Sequence, residues 1–141
     1  MTVAAFNKFY CLTEDIAEGK HNWQTNVFKV MLTNVAPAVT DTVFGTPAEI
    51  AAGNGYTAGG NTTAMVTSAQ TLGVYKLVLT DTVFTCITAP MATFRYAVLY
   101  NDTSATKPLI GYYDYAAALT LGVGESLTVD FDAAAGVLTI T

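Results

Sequence analysis

Hydrophobic and polar positions form their clearest pattern between Phe94 and Tyr115, where two aromatic-rich runs flank a polar segment. In the run Phe94–Tyr100, successive side chains alternate between two faces, and both faces are largely apolar. A strand that is apolar on both faces is usually central, so we predict that this run lies in the middle of a sheet and is covered on both sides. The segment NDTSATKP at 101–108 predicts a hairpin loop that faces solvent or a partner, and Leu109–Tyr115 predicts the returning strand.

Shorter alternating runs predict strands over most of the remaining chain. About eight to ten short strands with little helix predict a mainly β fold: a single-domain antiparallel β-sandwich or a jelly-roll-like barrel with one short N-terminal helix. We treat residues 1–141 as a single β-rich domain in which 1–25 form an N-terminal arm or helix segment. The further predicted strands are Val27–Thr33, 62–68, Val74–Leu79, 82–88, 119–121, Leu127–Phe131 and Val137–Ile140.

The N-terminal region contains the strongest helical pattern. We predict a helix over Thr13–Glu18, with Thr13 as its N-cap and Gly19 as its stop. The residues before Thr13 can be helical or extended, and they can pack on their own domain or reach a neighbouring molecule as an arm. A second, single helical turn is predicted for Pro47–Ala52, because proline is favourable at the first helical position.

Two segments predict loops. Asn34–Pro47 is rich in proline and small polar residues, and it leaves room for at most a short edge strand near Thr42–Phe44. Gly53–Asn61 carries four glycines but lacks the lysine of a phosphate-binding loop. We interpret it as a tight structured loop with Tyr56 held inward or at an interface.

Charge and composition then narrow the range of possible partners. Charged residues make up 12% of the chain, hydrophobic residues 52%, and the net charge is −5. A surface with few cations argues against nucleic acid as a partner, because phosphate recognition requires clustered lysine and arginine. We also expect no membrane partner and no secretory leader, since no sufficiently long apolar stretch and no cationic leader are present.

The inventory of reactive side chains does not support an enzyme. The single histidine, His21, has no nucleophile near it in sequence, although folding could bring Cys86 to it. Cys11 and Cys86 lack the spacing of a zinc site, so we interpret them as free thiols. Trp23 is interpreted as an anchor into the core or a partner. We assign no catalytic, cofactor-binding or metal-binding residue, and no cofactor.

Two groups of charged residues leave alternatives open. Asp130 and Asp132 flank Phe131 and are interpreted as the solvated face of a strand, with a calcium site as the alternative. Arg95 is a charge on an otherwise apolar strand, so it must pair or reach solvent. We expect an ion pair to Asp81 or Asp114 within the fold, or to another subunit.

Several stretches in order along the chain resemble a family of small virion structural proteins of tailed bacteriophages, over roughly Phe6 to Thr141. These stretches are HNWQTNVFKVMLTN, EIAAGNGYTAGG, YKLVLTDTVFT, RYAVLYND, LIGYYDY and DFDAAAGVLTIT. The resemblance implies contact surfaces and brings no functional residues with it.

The resemblance implies a capsid decoration or cement protein that stabilises the head by binding between capsomers. Its implied partners are the major capsid protein and further copies of itself, as a homo-dimer or trimer. It would be made in the cytoplasm of the host bacterium and located in the virion. The alternatives are a tail- or neck-associated virion protein, and a β-sandwich carbohydrate-binding or adhesive module in which Tyr112 and Tyr113 stack on sugars.

Overall fold

The computed structural model describes residues 4–141, and this part of the chain forms ten β-strands and one α-helix. The mainly β prediction is confirmed, and the number of strands lies within the predicted range. In chain order the elements are β1 (Phe6–Lys8), α1 (Cys11–Ala17), β2 (Phe28–Thr33), β3 (Asn61–Thr63), β4 (Met65–Thr71), β5 (Val74–Leu79), β6 (Thr82–Thr85), β7 (Phe94–Asn101), β8 (Leu109–Leu119), β9 (Ser126–Val129) and β10 (Leu138–Ile140).

The strands form three antiparallel sheets. The largest has the order β1-β8-β7-β2-β3, and the smaller ones have the orders β10-β5-β4 and β6-β9. Strand β7 is therefore the centre of the five-stranded sheet, as predicted, and it pairs with β8 through the predicted hairpin. The described strands do not close into one barrel, so the sandwich is the alternative that the structure supports.

Side chains of β7 reach two separate apolar clusters. Ala97 and Leu99 belong to the main core, which lies between the five-stranded sheet and the two smaller sheets and contains Leu77, Phe84 and Val129. This double coverage is what apolar residues on both faces of a strand require. Burying one large aliphatic or aromatic side chain contributes about 1.5–3 kcal/mol, so the main core supplies most of the stabilisation.

The second cluster covers the opposite face of the five-stranded sheet. Val98 and Tyr100 of β7 contact Met31 of β2 and Phe9, which follows β1. Phe44, from the long loop after β2, packs against Tyr100 with ring centroids 4.7 Å apart. The loop and the N-terminal segment therefore replace a second sheet on this side.

The helix begins two residues before the predicted start. Helix α1 spans Cys11–Ala17, and the Thr13 hydroxyl donates to the Tyr10 carbonyl, so it does not cap the helix. Gly19, with φ +73°, follows the helix as predicted, and its N–H bonds to the Ile16 carbonyl. No helix of residues 4–141 is long and apolar enough to cross a membrane.

The N-terminal segment packs on its own domain from Phe6 onward. Strand β1 pairs with β8, and Phe6 contacts Tyr113 with ring centroids 5.1 Å apart. Phe9 is fully buried, whereas Tyr10 is exposed. The part of the predicted arm at residues 1–3 lies outside the described residues.

The predicted helical turn at 47–52 is wrong. The Ile50 N–H donates to the Leu32 carbonyl, and the Thr33 hydroxyl donates to the Ala48 carbonyl at 2.6 Å. These bonds hold the segment extended along the end of β2. A tertiary partner for the backbone has overridden a weak local preference for helix.

The predicted strand at 62–68 is divided between two sheets. Ala64 separates β3 from β4, and its N–H and carbonyl bond to the Thr80 hydroxyl and N–H respectively. The predicted strand at 82–88 ends at Thr85, and residues 119–121 contribute only the last residue of β8. Alternation identified these strands, but it does not specify which sheet each one joins.

The glycine loop holds Tyr56 inward, as predicted. The Tyr56 hydroxyl is 2.6 Å from Oε2 of Glu49 and also accepts the Leu32 N–H. Burial raises the pKa of Tyr56, and its bond to Glu49 raises it further. Later in the loop, Gly60 has φ +81° and lies against the Val30 carbonyl so closely that any side chain would collide with it.

We expect Gly60→Ala to lower the free energy of unfolding by about 3 kcal/mol or more, because the new methyl group would overlap backbone of β2. Gly124→Ala is the matched control, since Gly124 has φ +84° with nothing within 4 Å of the added carbon. It should cost only about 1–2 kcal/mol through backbone strain. Urea unfolding measures both. Equal losses would show that the contact with β2 is unimportant.

Candidate functional site

A groove opens at the seam where β7 and β8 meet β9. It has a volume of about 220 Å³ and a mainly apolar lining. We call it the Arg95 groove, after the charged residue at its edge. Its lining residues are Ala4, Phe94, Arg95, Tyr96, Ala97, Tyr113, Tyr115, Leu127, Thr128, Val129 and Asp130.

The groove exists because the β7–β8 ladder is interrupted. Tyr96 pairs with Asp114, but Phe94 pairs with Leu119, so β8 contains three more residues than β7 between these pairs. The extra residues form a bulge in which Ala116 adopts φ +71°. Bulges bend the strand and end regular pairing, and this one separates β8 from its neighbour at the groove.

Because of the same bulge, the side chain of Phe94 lies on the face of β7 opposite to the predicted one. Strict alternation predicts Phe94 on the face of Tyr96 and Val98. In the structure Phe94 is fully buried in the main core with Ala97 and Leu99. The irregularity between Phe94 and Tyr96 changes the alternation and moves the side chain to the other face.

Arg95 pairs with Asp114, which is one of the two predicted partners within the fold. Its Nε lies 2.8 Å from Oδ1 and its Nη2 lies 3.1 Å from Oδ2, so the pair is bidentate. The bond to Arg95 lowers the pKa of Asp114, and the same bond raises the pKa of Arg95. Asp81, the other predicted partner, instead accepts the Phe131 N–H.

The Arg95 groove presents a mainly apolar surface with a few polar groups at its edge. The charged residues among the described lining are Arg95, which is paired with Asp114, and the exposed Asp130. Burial raises the pKa of the Tyr113 hydroxyl to about 12, so it stays protonated at neutral pH. The groove can therefore receive an apolar or aromatic side chain, while the ion pair and Asp130 offer polar contacts beside it.

The structure does not bring Cys86 and His21 into contact as a nucleophile and its base, because each has a different hydrogen-bond partner. The Cys86 thiol is 2.7 Å from the Ala89 carbonyl, whereas Nδ1 of His21 is 3.1 Å from the Asn101 amide. Both cysteines are free, as predicted; Cys86 is buried and Cys11 partly so. Burial also raises the pKa of Cys11 to about 11, which keeps it a poorly reactive thiol.

Trp23 is an anchor into the core, one of the two uses that the sequence suggests. Its ring stacks on Phe28 at 5.1 Å and on His21 at 4.9 Å. The segment after α1 is thereby fixed to the start of β2.

The acidic residues near the C-terminus have structural roles. Asp130 and Asp132 are exposed on either side of buried Phe131, as predicted, but they follow β9, which ends at Val129, so they are not on the face of a strand. The Asp132 carboxylate accepts the N–H groups of Ala135 and Ala134, and these bonds lower its pKa. Within residues 4–141, no three or more His, Cys, Asp or Glu side chains are grouped so that they could hold a metal ion.

Tyr112 and Tyr113 lie on opposite faces of β8. Tyr113 contacts Phe131 in the main core, and Tyr112 contacts Phe9 in the second cluster. Both are half-buried. They form no flat aromatic platform, because adjacent residues of a strand point in opposite directions.

The hairpin loop after β7 was predicted to face solvent or a partner, but both of its ends are buried. Asn101 and Pro108 are buried, and only Thr103, Ala105 and Thr106 are exposed. Asp102 bonds to Lys107 at 2.6 Å, and this bond lowers the pKa of Asp102. The loop is therefore a rigid turn with an exposed middle.

Asn101 organises this turn and was not identified by sequence reasoning. Its side-chain oxygen accepts the N–H groups of Thr103 and Ser104, and its amide nitrogen lies within hydrogen-bond distance of Asn26, His21 and the Lys20 carbonyl. The bond lengths are 2.8–3.3 Å. A polar residue at a strand end gives no sign in sequence of partners eighty residues away.

The groove itself was also missed. The one feature of the sequence that could have indicated the groove is the run of alanines after YYDY, because it ends the alternation of apolar and polar residues in β8. Ala4, Arg95 and Leu127 lie far apart in sequence and meet at the groove only through the fold.

No protein-family model, curated protein or solved structure matches this chain.

We expect Asn101→Ala to lower the free energy of unfolding by about 2–4 kcal/mol, because it leaves several buried polar groups without partners. Asn34→Ala, at an exposed position, should change it by less than about 0.5 kcal/mol. Chemical denaturation at pH 7 compares the two. A small loss at Asn101 would mean that water replaces its bonds.

We expect the fold to lose stability on mild acidification through His21. Burial lowers the pKa of His21 below 6.5, while Asp15 raises it and Lys20 lowers it by smaller amounts. The unfolded chain therefore binds the proton more readily, and stability falls as the pH drops below about 6.5 toward the folded pKa. Protonation would also place an N–H against the Asn101 amide.

The check is the free energy of unfolding measured from about pH 7.5 to 5, where carboxylates remain mostly ionised. His21→Gln, which has no proton to gain, should flatten this profile. An unchanged profile in the variant would assign the pH dependence to another group.

Proposed function

We propose that this chain is a structural protein of a tailed bacteriophage virion, and that it decorates the capsid by binding between capsomers. The observation that carries the proposal is the Arg95 groove, an apolar recess without catalytic groups on a rigid β-sandwich. Such a recess suits an apolar side chain of a neighbouring protein subunit. The resemblance of the ordered sequence stretches supplies the class of particle.

The distribution of charge supports a protein partner. Four of the six cationic side chains are engaged in ion pairs within the fold. The remaining two do not form a basic patch, because Lys8 lies on β1 and Lys76 on β5, where its Nζ bonds to the Ala134 carbonyl. Nucleic acid is therefore not proposed as a partner.

The surface supports broad contacts of moderate strength. Large apolar side chains are exposed on several elements, among them Tyr10, Val83, Ile87, Tyr115 and Val123. Aromatic residues are enriched in protein interfaces, and charged residues are depleted at interface centres. In the proposed role the major capsid protein would fill the groove, and rigid contacts across a capsomer junction would oppose its opening.

A tail or neck location is the alternative that the same surfaces permit, because a groove for an apolar side chain also suits ring assembly. A carbohydrate-binding function is not proposed. The opposed, half-buried positions of Tyr112 and Tyr113 remove the platform on which it depended.

The test is co-sedimentation of the purified chain with expanded capsids, and separately with tails, of the phage that encodes it. Tyr115→Ser truncates an exposed side chain at the groove and should weaken capsid binding about tenfold or more. Tyr10→Ser is the matched control, because Tyr10 is exposed but does not line the groove.

Binding to tails alone would overturn the capsid assignment, and binding to neither would overturn the virion role. If the wild-type chain binds capsids but Tyr10→Ser weakens this binding more than Tyr115→Ser does, the contact with the capsid lies outside the groove.

A further inference from the structure

The hairpin of β4 and β5 presents an unpaired strand edge. Strand β4 pairs with β5 on one side, and within residues 4–141 no strand pairs with its other side. An edge strand carries N–H and carbonyl groups that can bond to another strand.

This edge has few of the features that keep strands apart. The sequence of β4, MVTSAQT, contains no charge and no proline. Its one irregularity is a bulge between Met65 and Thr67, after which the pairing with β5 is regular to Thr71. Regular, uncharged edges are the ones that accept a further strand.

The turn of the hairpin contains an unfavourable residue. Leu72 has φ +52° and Gly73 has φ +81°, which is the geometry of a two-residue type I′ turn. Asparagine or aspartate followed by glycine suits this turn, whereas leucine is strained in it. Leu72 is also 97% exposed, so it gains nothing from its own fold.

We propose that β4 pairs with β4 of a second copy of this chain, antiparallel about a two-fold axis at Ala69. The two β10-β5-β4 sheets then become one six-stranded sheet. A two-fold interface uses the same surface on both copies, so a strand edge can pair with itself antiparallel.

We chose the register of the two β4 strands from the side chains that it places opposite each other. With the axis at Ala69, Thr67 lies opposite Thr71 of the second copy, and threonine pairs are favourable across strands. Just beyond this pair, Leu72 in the turn lies near the bulge residue Val66 of the second copy, which is 57% exposed in the single chain. The two-fold axis produces this contact twice in the dimer, and the contact made by Leu72 would compensate the strain of its backbone.

Charge favours this surface for self-association. The net charge is −5, yet Ile50–Thr80 contains no acidic residue, and Lys76 is its only charged one. Lys76 lies on β5, opposite Ala69. The two copies of Lys76 would be three strand spacings apart, about 14 Å, which exceeds the screening length of about 8 Å at physiological salt.

This dimer names the surface and symmetry of self-association, which the proposed function leaves open. It forms or fails to form in the purified chain, without capsids, so its test is separate from the test of that function.

The decisive variant is Leu72→Asn. Asparagine relieves the turn, so the single chain should be as stable as the wild type or more stable. Loss of the contact with Val66 should raise the dimer dissociation constant about tenfold. Val123→Asn is the matched control, since Val123 is 61% exposed and also precedes a glycine of positive φ. Sedimentation over a concentration series measures all three proteins.

The register is tested by cross-linking. Directly opposed residues of antiparallel strands have Cα atoms about 4.5–5.5 Å apart, which permits a disulfide. Oxidation of the Ala69→Cys variant should yield a covalent dimer, and Ala118→Cys, at an exposed site on β8, should not. A monomeric wild-type chain, an unaffected Leu72→Asn dimer, or equal cross-linking of the two cysteine variants would overturn the proposal.

Discussion

Burial of β7 on both of its faces is the constraint on which the rest of the structure depends. The strand lies between β8 and β2, and its alternate side chains enter the main core and the second cluster. Each cluster requires its own cover. Two small sheets cover one face, and the N-terminal segment with the loop containing Phe44 covers the other. The end of β7 is fixed in turn, because Asn101 ties the hairpin to the segment after α1.

The same constraint accounts for the surfaces available to partners. Two interruptions of regular strand pairing lie at the start of β7, in its ladder with β8, and on the edge strand β4. The bulge in β8 opens the Arg95 groove, and the bulge in β4 lies on an edge that no described strand covers. The groove has a mainly apolar lining, and β4 carries no charge. Both features are compatible with the contacts between protein subunits that we propose.

Sequence patterns predicted where the strands lie along the chain more successfully than how the strands pair and which way their side chains point. The period-two runs located β2, β5, β7 and β8, because a half- or fully buried strand must alternate. The ion pair of Arg95 was also within reach, since a charge on an apolar strand requires a partner. The helical turn at 47–52 was predicted wrongly, because its backbone finds hydrogen-bond partners at the end of β2. Phe94 was assigned to the wrong face because a bulge is not visible in alternation alone.

By itself, the sequence determined the mainly β class, the central position of Phe94–Tyr100 and the scarcity of charge. These follow from local periodicity and composition, which act within a few residues. Only the tertiary structure decided that Asn101 joins distant segments, that Tyr115 and Leu127 share a groove, and that β4 is an edge. Each of these depends on which strands become neighbours, and long-range pairing is set by the packing of the whole core.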